Sequence, residues 1–74
     1  MSLPTPQSLR SEADTLDAVA SRDHQLAATL WGRHSPELTR AAEARAVRIE
    51  DNALILRLRA AEIEAVRSLM AVVA

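Results

Sequence analysis

The sequence predicts a small α+β fold in a single domain: an N-terminal helical region, an antiparallel β-hairpin and a C-terminal helix. Three observations carry this expectation. Residues 8–31 place apolar side chains at helical spacing. Residues 47–58 alternate apolar and charged side chains on both sides of Asp51-Asn52, which is a strand period interrupted by a turn. Residues 61–74 return to helical spacing. A chain of 74 residues has room for one domain.

Taken in order, residues 1–7 (MSLPTPQ) hold two of the three prolines and read as a flexible lead-in to a domain spanning residues 8–74. In residues 8–31, Ser8 and Ser11 are candidate N-caps, with acids in the first turn after Ser11. Leu9, Ala13, Leu16, Val19 and Ala20 share one helical face. A polar patch at residues 21–25 leaves open one helix or two, and Leu26, Ala27, Leu30 and Trp31 resume the stripe. Gly32 suits the position just past a helix end. Residues 33–36 are a connector, and Ser35-Pro36-Glu37 is a favourable helix start. Residues 36–44 fit either a short helix or a lead into a strand.

The hairpin follows. With Asp51-Asn52 as the turn, Val47, Ile49, Leu54, Leu56 and Leu58 fall on one face, and Arg48, Glu50, Arg57 and Arg59 on the other. Ile55 points with the arginines. The competing reading is one long helix through residues 40–73, which the alternation in VRIE and LRLR opposes. In the last segment Ile63, Val66, Met70 and Val73 keep helical spacing, and Leu69 and Val72 widen the stripe. Such a helix needs cover on two sides.

Composition limits the chemistry. Apolar residues make up 49% of the chain, but fifteen are alanine, which leaves 21 larger ones. That core is thin for a monomer, and without cysteine no disulfide can supplement it, so the expected partner is another chain, as a homodimer or heterodimer. Nine arginines against ten acids oppose bulk electrostatic binding to nucleic acid or membranes. No run is long enough to span a membrane and the start lacks signal-peptide character, so a cytoplasmic location is expected.

No catalytic, cofactor or metal site is expected. His24 and His34 are ten residues apart and lack further ligands. The pairs Asp14/Asp17 and Glu62/Glu64 read as helix-terminal charges. There is no glycine-rich phosphate loop and no nucleophile motif. What remains is contact surface. Ile63, Val66, Met70 and Val73 form a partner or core stripe, and Ile55 an edge contact. Arg48, Arg57 and Arg59 form a possible nucleic-acid contact, although no aromatic residue interleaves with them to stack on bases.

The stretch VRIEDNALILRLRAAEIEAVRSL resembles the small dimerisation subunit of the KEOPS complex, in which a hairpin leads into a helix matched here at Ala60, Glu62, Ala65, Val66 and Arg67. The upstream SEADTLDAVA and Pro36-Glu37 are similar to that family as well. The chain departs from it in its proline-rich start and in Ala71-Val72-Val73, where the family has an Asn-Ser-aromatic step. The resemblance implies a βαββα subunit without catalytic activity of its own. It would dimerise through its sheet and dock, Arg67 included, on a partner in a tRNA-modification assembly, so any RNA contact would be indirect. A small nucleic-acid-binding or regulatory module using the arginine face is the alternative.

Overall fold

The structure is a computed structural model that describes residues 3–30 and 36–73. It contains two helices, α1 (Pro6–Leu30, 25 residues) and α2 (Pro36–Val73, 38 residues). Together they form an antiparallel hairpin about 61 Å long and 19 by 17 Å across. The expectations for Trp31, Gly32, His34 and the Ser35 cap lie outside the described residues.

α1 starts earlier than Ser8 or Ser11 would place it, because Thr5 is the cap. The Thr5 amide donates to Ser8 Oγ at 3.0 Å and the Ser8 amide donates to Thr5 Oγ1 at 3.1 Å. This is a reciprocal capping box with serine in the position usually held by glutamate, followed by proline at the first helical residue. The helix runs unbroken to Leu30, since the polar residues 21–25 interrupt the apolar stripe without offering a proline or glycine to end it.

The α+β expectation is overturned. Among the described residues there is no strand, and residues 46–60 are the middle of α2. The alternation that suggested a hairpin has a helical cause. α2 buries Thr39, Ala46, Ala53 and Ala60, every seventh residue, and half-buries Ala42, Ile49, Leu56 and Ile63, again every seventh. These two rows are the seam that faces α1. A second apolar row, Val47, Leu54 and Leu58, lies on the far side and is exposed. Val47 precedes Ile49 by two residues, Leu54 precedes Leu56 by two, and Leu58 follows Leu56 by two. Two stripes on opposite faces of one helix therefore reproduce a period of two over a short window. Asp51-Asn52 falls on the solvent side of the helix, without the glycine that would favour a two-residue turn. With leucine, arginine, glutamate and alanine around it, the segment has strong helical preference.

One consequence is testable. Asn52 is exposed in a helix interior, where alanine is favoured over asparagine by roughly half a kcal/mol. Asn52→Ala is expected to raise the thermal midpoint of the circular dichroism signal at 222 nm. A drop in that midpoint would indicate a turn at this position.

The seam is built from small residues. On α1, Ala13, Ala20 and Ala27 are buried at the same seven-residue spacing, with Pro6 a further seven before them, and Leu9 and Asp23 are buried between these positions. Methyl groups facing methyl groups let the two backbones approach closely. In exchange the seam gains little burial, since one methyl contributes only about 0.8 kcal/mol against 1.5–3 for a full Leu or Ile side chain. Among the described residues no large side chain is fully buried.

Charge pairs fix the register. Arg10 pairs with Glu64, Arg57 reaches Asp14 at 2.9 Å and Asp17 at 2.5 Å, and Arg45 reaches Asp23 at 2.7 Å. His24 contacts Glu50, and its Nδ1 lies 3.5 Å from Glu43. As the α1 partner advances along the chain, the α2 partner retreats, as an antiparallel pair requires.

Candidate functional site

The chemistry of the hairpin is that of two surfaces: the charged flanks of the seam and the outer face of α2. Along the seam, His24 sits beside a shallow groove lined by Asp17, Ala20, Ser21, Gln25, Ala28 and Glu50. Its hydrogen bond to Glu50 raises its pKa above the ordinary value. The charges of Glu50 and Glu43 add to this, and desolvation opposes it. The folded chain thus holds this proton more tightly than the unfolded chain. The stabilisation is complete below the ordinary histidine pKa of about 6.5 and is lost as pH rises through the raised value. The urea midpoint is therefore expected to fall as pH rises above about 6.5, and His24→Gln is expected to flatten that slope. An equal slope in both proteins would remove His24 from the explanation.

At the other end of the seam, hydrogen bonding and charge from Arg10 hold the Glu64 carboxyl below its ordinary pKa, helped by Arg67. These groups clamp the open end of the hairpin. They do not converge on a cleft, and among the described residues no group of three or more acids or histidines could hold a metal ion.

The outer face of α2 is different. Val47, Leu54, Ile55 and Leu58 are about half exposed, and Val66, Leu69, Met70, Val72 and Val73 are 53–85% exposed. α2 is the longer helix and Arg10 pairs with Glu64, so α2 runs on past the start of α1. Leu69, Met70, Val72 and Val73 consequently have no α1 residue opposite them. The result is an exposed apolar patch on the outer side of α2 at Val47, Leu54, Ile55 and Leu58, with Arg48, Asp51, Arg59 and Glu62 around it, and a second exposed apolar group at the C-terminal end of α2.

No family model, curated protein or solved structure matches the chain. The segment that resembles the KEOPS subunit is continuous helix, so that family's sheet, and dimerisation through it, have no counterpart here.

The residues expected to bind a partner divide between the two surfaces. Ile55 lies on the outer face, Val66 and Val73 are exposed towards the C-terminal end, and Arg67 and Met70 continue the α1-facing rows of Ala60 and Ile63 as exposed residues. Ile63 is half-buried in the α1-facing row and lines a shallow groove with Glu62, Val66 and Arg67. The three arginines do not form one strip. Arg48 and Arg59, eleven residues apart, share the outer side of α2, whereas Arg57 faces α1 and is held by Asp14 and Asp17. Sequence reasoning missed Val47, Leu54 and Leu58 as surface residues, because a sheet would have turned them inward. The detectable signal was their offset of two from a separate seven-residue row.

No helix among the described residues is long and apolar enough to cross a membrane.

Proposed function

We propose that this chain is a non-catalytic interaction module, a helical hairpin whose α2 docks on protein through its outer face. One observation supports the reading above the others: α2 has apolar rows on two opposite sides, and α1 covers only one of them. Contiguous exposed apolar surface of this kind marks interaction sites in folded proteins. The patch is rimmed by charge and centred on Leu54, Ile55 and Leu58, the anatomy of an apolar interface core with a polar border.

The experiment is capture of the tagged full-length chain, after crosslinking, in the cell that makes it. Wild type and Ala18→Asp, which alters the exposed side of α1, should hold the same protein partners, other copies of the chain included. The pair Leu54→Asp and Leu58→Asp should lose them. Retention of the same partners by that double variant would sink the proposal.

A further inference from the structure

Resting on that docking reading, we infer that the occupant of the α2 face is a second copy of the same chain, packed antiparallel about a two-fold axis at Ile55. The first argument is the arrangement of charge. Arg48 stands seven residues before Ile55 and Glu62 seven after. Asp51 stands four before and Arg59 four after. In an antiparallel pair related by a two-fold axis, the residue n before the centre lies level with the residue n after it on the partner. Arg48 then meets Glu62, and that pair occurs twice, while Asp51 and Arg59 reach the same level on opposite edges of the contact. A parallel pairing would set Arg48 against Arg48 and Glu62 against Glu62. All four side chains are exposed, and among the described residues none makes an ion pair within its own chain.

The positions suit the geometry. Arg48, Ile55 and Glu62 are one heptad apart and lie on one line along the helix, while Asp51 and Leu58 continue the same seam one turn on. Leu54, Ile55 and Leu58 then form the centre of the contact, with Val47 and Ala61 closing it on either side.

The second argument is area. The chain exposes 5853 Å². A compact monomer of its 8.1 kDa mass exposes about 4,500 Å². The excess of about 1,300 Å² is larger than the ~800 Å² that each partner contributes to a standard interface. A hairpin with an alanine seam leaves apolar surface that one further copy can cover, and the two together make a four-helix assembly.

The test is sedimentation equilibrium of the full chain over a range of concentrations, with folding checked by circular dichroism. Wild type should fit twice the chain mass. Arg48→Glu sets two pairs of carboxylates against each other, and Glu62→Arg two pairs of guanidinium groups. Each alone should raise the dimer Kd at least about tenfold, and the double swap should recover it to within about threefold, as reciprocal charge pairs require. A monomeric wild type overturns the inference and leaves the docking reading to its own capture experiment. A dimer that is lost with Leu58→Asp but unmoved by either charge reversal keeps the docking face and overturns the antiparallel pairing. A dimer indifferent to Leu58→Asp overturns both.

Discussion

Ala53→Leu is expected to destabilise the hairpin by about 1–3 kcal/mol, and Ala53→Asp to unfold most of it. Ala53 is fully buried midway along α2, in the row that also contains Ala46 and Ala60. The α1 residues across from that row are themselves alanines, so no large side chain is available to shift aside. An isobutyl group must either push the backbones apart, which loosens the neighbouring layers, or leave its preferred rotamer. A carboxylate there loses its water and gains no partner, because the charged side chains of α2 that reach α1 lie on the flanks of the seam. A 74-residue chain has on the order of 4 kcal/mol of stability at the lower end of the usual range, so a penalty of several kcal/mol exceeds it. Ala18→Leu, at an exposed position of α1, is the control and should stay within roughly half a kcal/mol of wild type. Urea titrations at one fixed protein concentration measure all three, since association would otherwise move the midpoint. Equal midpoints for Ala53→Leu and Ala18→Leu would mean that the alanine row is not the packing seam.

The same seam explains what the sequence revealed of the fold. α1 has a single apolar stripe, so Leu9, Ala13 and Ala20 could be assigned to one face, and they are buried there, with Leu16 and Val19 half-buried beside them. α2 defeats short-window reading because its two stripes are offset by two residues, and over eight or ten positions their sum is indistinguishable from a strand. Only the longer repeat separates them: Thr39, Ala46, Ala53 and Ala60 run at a constant seven through the supposed turn, which a hairpin centred on Asp51-Asn52 has no reason to preserve. Alanine hid this signal further. Counted as a small residue of little burial energy, it drew attention to the leucines and isoleucines, yet here it marks the contact line and most of the larger residues flank it.

The exposure of Ile55 was legible although the fold around it was not. Ile55 stood out as an apolar residue on a charged face, and it remains on an exposed face once the segment is helix, because it follows both Val47 and Leu54 round the outer side of α2. The need for cover on two sides of residues 61–73 came from counting apolar positions around a helix, and that count does not depend on what precedes the segment. Arg57 was misplaced for the reason that misplaced the hairpin. A strand puts residues 48, 57 and 59 together, whereas a helix turns residue 57 away from 48 and 59 and towards Asp14 and Asp17.

Asp23→Leu is expected to stabilise the hairpin, by about 2 kcal/mol. Asp23 is a buried acid in the α1 seam, with a side chain only 10% exposed. Its Oδ2 lies 2.7 Å from Arg45 Nε, yet accepts no hydrogen bond, so the contact is ionic and poorly aligned. Arg45 is 62% exposed and stays hydrated when its partner is removed. The acid therefore carries most of the desolvation cost and recovers little of it, a balance in which an apolar replacement of similar size commonly gains 1–4 kcal/mol. Leucine would also continue the row formed by Leu9 and Leu16. Asp23 has a compensating use: a polar residue in a helical seam opposes alternative pairings that a wholly apolar seam would allow. Asp23→Leu should thus show both a higher urea midpoint and, at raised concentration, species larger than those of wild type by light scattering. Asp23→Ala separates the two effects, since it removes the charge without supplying a side chain to bury. If both variants lower the midpoint, the Asp23–Arg45 contact is a net stabiliser and the alanine seam depends on it.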